Sequence, residues 1–191
     1  MPEYRRVRQP GGTYFFTVVT HDRRNLFDTD FPRRLLREAI AAVRSESPFS
    51  IDAFVLLRDH LHAMWTLPAG DADYSMRWGK IKKQFTESFL NAGGTDRIVS
   101  QSKTTNRRRG VWQRRYWEHL IRDERDYNRH LDYIHFNPVN HGYVNCPHAW
   151  PFSSFHRHVA LGSYAAEWSC GCTGQPVILP DFSMLPVKDM E

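Results

Sequence analysis

Two short runs lie almost back to back in this chain: Phe49 to Leu57 and His60 to Leu67, parted only by Arg58-Asp59. Both carry the apolar, β-branched and aromatic residues of strands. A two-residue polar link leaves no room for a crossover, so the pair closes as an antiparallel hairpin. The flanking sequence must fit around that hairpin. Gly11-Gly12 opens a strand over Thr13 to Thr20. A helix is expected over Phe31 to Ser45, with Leu36, Ala39, Ile40 and Val43 on one stripe, Pro32 in its first turn and Ser47-Pro48 ending it. After the hairpin comes a second amphipathic helix, Tyr74 to Leu90, with Trp78, Ile81, Phe85 and Phe89 on one side. Gly93-Gly94 ends it, and Trp117 to Arg122 reads as another strand. Asp123 caps a third helix, with Glu124 and Asp126 in its first turn. Pro138 disfavours helical geometry in the residue before it, so this helix is expected to stop near Asn137. Strand, helix, strand, strand, helix, strand, helix predicts one α+β domain. The expected form is a ferredoxin-like, split βαβ sandwich with a central antiparallel sheet and helices on one face. It is expected to occupy residues 1–160, followed by an irregular C-terminal extension over 161–191. Trp150, Phe152, Phe155 and Trp168 are expected to anchor the later, Pro- and Gly-containing part.

At 191 residues, with 41% hydrophobic and 25% charged residues, the chain suits one globular domain and excludes wholesale disorder. No stretch approaches the roughly 20 apolar residues of a membrane span. Arg5, Arg6 and Arg8 near the start have no apolar run of signal-peptide type behind them. A soluble cytoplasmic protein is expected. Lys and Arg number 26 against 21 for Asp and Glu, a balance of +5. The excess is concentrated: Arg97, Lys103, Arg107, Arg108, Arg109, Arg114 and Arg115 fall in one stretch without an acid. Such a block suits a polyanion, because each phosphate contact releases counterions. A solvated loop is the plainer reading. Trp112, Tyr116 and Trp117 among these arginines read either as stacking surfaces for unpaired bases or as core aromatics.

Cys146, Cys170 and Cys172 form no disulfide framework. With His148 they offer a Cys-x-His plus Cys-x-Cys zinc set, although the spacing is unusual for structural zinc and inert thiols in a reducing cytosol are the simpler expectation.

The sharpest local feature is Asp59-His60-Leu61-His62. Side chains alternate along a strand, so His60 and His62 share a face, about 7 Å apart at Cα, while Leu61 points into the core. The pair fits either a metal ion or two ordinary histidines on an exposed strand face. On the third helix Tyr127, Leu131 and Ile134 form one stripe, expected to face the core. Asp126, His130, Tyr133 and Asn137 form another, about 90° away. Tyr133 and Asn137 are one turn apart; they read either as a phenol nucleophile beside an amide ligand or, more plainly, as a tyrosine on the helix flank and an asparagine ending the helix before a proline. His119, His130 and His135 read as packing or surface residues, with proton transfer or phosphate contact as the alternative, and Tyr127 as structural. Together, a metal-binding histidine pair, a tyrosine beside an amide and a phosphate-seeking stretch fit one reaction: transesterification at a DNA phosphate.

His60-Leu61-His62 is a His–hydrophobic–His motif, and Tyr133-Ile134-His135-Phe136-Asn137-Pro138-Val139-Asn140-His141-Gly142 closely resembles the tyrosine-bearing segment of the REP-associated tyrosine transposases, in the HUH superfamily of single-strand nucleases. Gly11 to Thr17, Val111 to His119 and Trp150 to His156 are similar to segments of the same family in the same order. The resemblance implies that His60, His62 and Asn137 bind Mg2+ or Mn2+, although two imidazoles alone would suggest zinc or manganese over magnesium. It implies Tyr133 as nucleophile, joined to a 5′-phosphate while a 3′-hydroxyl is freed. The implied partner is single-stranded DNA beside an imperfect hairpin of a repetitive extragenic palindrome (REP), acted on by a monomer or homodimer near the bacterial nucleoid. Arg107, Arg108, Arg109, Arg114, Arg115, Lys82 and Lys83 are the expected DNA contacts. Asn140 stands where relatives often carry a basic residue, and the segment from Gly93 to Gly110 is longer than usual. Two alternatives stay open: a hairpin-binding protein that does not cut, and a zinc hydrolase using His60 and His62.

Overall fold

The structure, a computed structural model, describes residues 6–96, 109–173 and 180. Four strands form one sheet: β1 (Thr13–Val19), β2 (Ser50–Leu56), β3 (His60–Thr66) and β4 (Trp117–Leu120), in the order β2-β3-β1-β4. Every pairing is antiparallel. Helices α1 (Asp30–Glu46) and α2 (Tyr74–Asn91) complete the β-α-β-β-α-β succession. This is the expected α+β sandwich, with the hairpin turning at Arg58-Asp59 through Leu57 N–H to the His60 carbonyl, 2.8 Å.

Alternation divides the sheet into two faces. Tyr14, Phe16 and Val18 of β1 and Leu61, Ala63 and Trp65 of β3 face α1 and α2. The apolar stripe of α1 (Leu36, Ala39, Ile40, Val43) is buried there, as its spacing predicts. Trp65 is the hub, its ring stacked on Trp78 at 4.2 Å and against Phe49 at 4.2 Å. The α2 N-terminus is closed by Asp73, whose carboxylate accepts from Met76 N–H at 3.0 Å. Beside it Arg77 is fully buried yet satisfied. Its guanidinium donates to the carbonyls of Ser47, Pro48 and Asp73 and to the Asp71 carboxylate at 2.6 Å. One side chain thereby stitches the α1–β2 connection to the start of α2.

The opposite face carries Phe15, Thr17, His60, His62 and Met64, covered by α3 (Glu124–Asn140). The first two helices share one face as expected, and α3 lies on the other. This helix differs from expectation in two respects. It runs through Pro138 to Asn140 instead of stopping near Asn137. A proline in the last turn forfeits one N–H bond, and the end still closes through His141 N–H to the Asn137 carbonyl and Tyr143 N–H to the Pro138 carbonyl, both 3.0 Å. Burial of Pro138 keeps the turn in place. Both stripes of α3 are also buried, since the helix is covered twice. The sheet lies beneath it, and aromatics of the later chain lie over it. Tyr164 donates to Asp132 at 2.6 Å, Trp168 packs on Phe136, and α4 (Phe155–Ala160) lies against His135. Packing continues past residue 160 through Tyr164 and Trp168, whose rings are 4.6 Å apart. The free edge of β2 is capped by Ser154, whose N–H donates to the Phe54 carbonyl and whose hydroxyl accepts from Phe54 N–H.

Arg77→Met is expected to destabilise the fold by about 2–3 kcal/mol in urea unfolding, because the carbonyls of Ser47, Pro48 and Asp73 and the partly exposed Asp71 carboxylate lose their buried donor. A loss under about 1 kcal/mol would show that the stitch carries little.

Candidate active site

The β1–β3 register places Thr17 opposite His62 and Val19 opposite His60. Both histidines are fully buried on the α3 side of the central strand pair, with ring centroids 4.9 Å apart. They are not the exposed pair of the plainer reading. Each has one nitrogen already engaged. His60 Nδ1 donates to Asp59 Oδ1 at 2.6 Å. Burial works against the Asp59 charge, but the bonds from His60 and from Arg23 (3.0 Å) outweigh it and hold the carboxyl below its usual range. An ionised Asp59 accepts only, so the His60 proton sits on Nδ1 and the lone pair on Nε2. Arg23 reaches Asp59 from a left-handed backbone position, φ 49°, which disfavours most side chains. His62 Nδ1 lies 2.8 Å from the Thr17 hydroxyl. Burial first, then the neighbouring histidines, holds His62 well below its ordinary pKa, in the neutral form that ligates metals.

What these bonds leave over defines the site. His60 Nε2 and His62 Nε2 are buried and have no hydrogen-bond partner among the described residues, and the same is true of both side-chain polar atoms of Asn137, a residue 1% exposed. A buried unpaired polar atom costs about 1–3 kcal/mol. Four in one place mark a site suited to a ligand. On α3 the residues His130, Tyr133, Asn137 and His141 follow one line at spacings of three and four. Tyr133 packs edge-on to His62 at 5.1 Å and His141 packs on His60 at 5.2 Å. Asn137, between them on the helix, therefore looks onto the histidine pair. Two imidazole nitrogens held from behind and one amide oxygen form a donor set that suits a divalent ion. The stripe expected on the flank of the helix is the one that faces the site.

The site has supports that the sequence reading did not assign. Asp59 was visible beside His60 without a role, and Thr17 becomes a partner of His62 only through strand register. A further group, His119, Asp126 and His130, lies with ligand atoms within 4.8 Å of one another. Its atoms bind each other: His119 Nε2 donates to Asp126 Oδ2 at 2.8 Å, Arg122 donates to the same oxygen, and His130 Nδ1 lies 2.8 Å from the Asp126 carbonyl. Burial opposes the Asp126 charge, and these bonds bring its carboxyl down to about 2. The group fixes His130, whose ring packs on Phe15 at 4.8 Å beside Tyr133. Burial pushes His130 down to about 4, so it stands neutral there.

The expected DNA contacts are dispersed. Arg114 and Arg115 are exposed. Lys82 is half-buried: its ammonium donates to the Gln113 carbonyl at 2.6 Å, beside the rings of Trp112 and Tyr116, and burial pushes it down to about 8. Lys83 is exposed near Glu87 and Arg109 pairs with Asp96 at 3.2 Å. Arg107 and Arg108 lie outside the described residues. Trp112 belongs to the core, while Tyr116 and Trp117 are half-buried. Among the described residues no helix is long and apolar enough to cross a membrane.

No family model matches the chain. A REP-associated tyrosine transposase of Escherichia coli (strain K12) is 46% identical over 170 residues, covering 88% of this chain and 92% of that protein. A solved structure of a REP-associated tyrosine transposase bound to a REP hairpin is 43% identical and covers 93% of this chain and 96% of that one, with a TM-score of 0.75. Sequence and fold agree along nearly the whole of both molecules, and the chain belongs to the REP-associated tyrosine transposases.

Proposed function

We propose that this transposase cuts and rejoins single-stranded DNA beside REP-type hairpins, with Tyr133 as nucleophile. The observation that carries the reading is the set of partnerless buried atoms on His60, His62 and Asn137, one helical turn from Tyr133. The hairpin-bound relative supports the choice of partner. His60 Nε2, His62 Nε2 and the Asn137 amide oxygen would hold Mg2+ or Mn2+, which when bound supplies Lewis-acid polarisation of a phosphate oxygen. Asp59 and Thr17 orient the two rings from behind, as outer partners of ligating histidines do.

The Tyr133 hydroxyl attacks phosphorus. A phenolic O–P bond forms as the bond to the 3′-oxygen breaks, the phenol gives up its proton, and the departing oxygen takes one up. The 5′-phosphate is then held on Tyr133, and the 3′-hydroxyl is free. The phosphotyrosine is still a diester, so a 3′-hydroxyl reverses the step and rejoins strands without an external energy source. Tyr133 is buried against Phe15 and His62, so the strand must open the inner face of α3 to reach it. The exposed Arg114 and Arg115, together with Arg107, Arg108, Arg109, Lys82 and Lys83, supply the phosphate contacts. The protein acts in the bacterial cytoplasm at the nucleoid, as a monomer or homodimer.

With labelled hairpin oligonucleotides and Mn2+, wild-type protein should give a covalent band on a denaturing gel that EDTA abolishes. Tyr133→Phe should lower cleavage by roughly a thousandfold or more while hairpin affinity stays within about threefold. Binding with no adduct across several repeats would favour a hairpin binder that does not cut, and metal-dependent cutting by Tyr133→Phe would favour a hydrolase. Thr17→Val should weaken Mn2+ binding about 10–100-fold, followed by the electron paramagnetic resonance signal of free Mn2+. Unchanged affinity would remove Thr17 from the support of His62. Replacing Arg107, Arg108 and Arg109 together by Ala should flatten the plot of log affinity against log salt by about two units, whereas an unchanged slope would return them to a solvated loop.

A further inference from the structure

The cysteine-bearing corner takes no part in the chemistry above. It joins two segments 24 residues apart, the connection after α3 and the end of the aromatic layer that covers α3. Cys146 and Cys170 are buried and bonded to each other. A ligand nitrogen of His148 and the two sulfurs all lie within 4.8 Å of one another. His148 Nδ1 lies 3.1 Å from the Ala166 carbonyl, which fixes the ring and leaves Nε2 as the acceptor nitrogen. Gly171 N–H donates to the Asn145 carbonyl at 2.9 Å, holding the two segments in step. Cys172, a free and exposed cysteine, follows Cys170 by two residues. A disulfide uses two of these side chains and does not explain the seat of His148 beside both sulfurs.

We propose that this corner is a structural zinc site formed by Cys146, His148 and Cys170, with Cys172 completing the tetrahedron. A dithiol reductant opens the sulfur–sulfur bond: it gives two electrons and two protons to the pair and is itself oxidised to a disulfide. Zn2+ then displaces the protons of the cysteine thiols as three thiolates and a neutral imidazole close around it. Soft thiolates with one imidazole, in two short bites from separate segments, match zinc rather than the harder ions suited to His60, His62 and Asn137. The bound ion would clamp the Tyr164–Trp168 layer over the outer side of α3, whose inner side carries Tyr133 and Asn137.

The test uses the full chain, expressed with added zinc and purified with a non-thiol reductant and no chelator. A His60→Ala, His62→Ala variant serves as background, so that the candidate active site contributes no ion. Elemental analysis should find about one zinc per chain. Replacement by Co2+ should give the near-ultraviolet thiolate-to-cobalt absorption, which carboxylate, amide or imidazole ligands do not produce. Cys146→Ser should lose both. His148→Ala, at an exposed position that leaves the core intact, should lose zinc at least tenfold faster to a colorimetric chelator. Zinc-free reduced protein without the cobalt–thiolate band would overturn the proposal, as would zinc retained by Cys146→Ser.

Discussion

The site depends on two imidazoles buried side by side on a central strand, each held by its Nδ1. In most cores a buried histidine ends its search for partners at both nitrogens or leaves one in water. Here Asp59 and Thr17 satisfy one nitrogen of each ring and aim the other at α3. The arrangement is set by backbone features far from any chemistry. The β1–β3 register brings Thr17 to His62, and the tight turn before β3 brings Asp59 to His60. A slip of one residue in that register would turn both rings into the Trp65 core on the other face. The pairing of the sheet and the chemistry of the site are thus one constraint.

The helix opposite is held as firmly. With the sheet beneath it and Tyr164 and Trp168 above, α3 buries both a conventional apolar stripe and the polar stripe of Asp126, His130, Tyr133 and Asn137. Burying so many polar groups is tolerable because Asp126 is saturated by His119 and Arg122 and fixes His130 in turn. Both polar side-chain atoms of Asn137, opposite His60 and His62, stay unmatched among the described residues. Four such atoms, on His60, His62 and Asn137, thus meet in one place, where a ligand can satisfy them.

Much of this was legible in the residues. The hairpin, both helices packed on Trp65 and the shared face of His60 and His62 follow from periodicity and from one short link. The burial of that face was not legible, since alternation tells which side a residue takes and not what covers it. Pro138 misled because its cost is a bias on the preceding residue, and packing at the end of α3 outweighs it. Relative position on α3 was right, but a single-layer view assigned one stripe to the core, whereas two layers enclose the helix. Lys82 is an expected DNA contact in sequence, and only tertiary structure turns it onto the Gln113 carbonyl beside two aromatic rings. Asp59 was adjacent to the motif, but a carboxylate next to a histidine has no meaning until a turn directs it back onto the ring.

The central claim is that Tyr133, and no other side chain, bonds covalently to DNA. Peptide mapping of the covalent complex by mass spectrometry, after nuclease trimming, tests it directly. The account predicts a nucleotide joined through its 5′-phosphate to the peptide that carries Tyr133. The same mass on the peptide of Tyr116 or Tyr127, or cut DNA with no modified tyrosine, would contradict it.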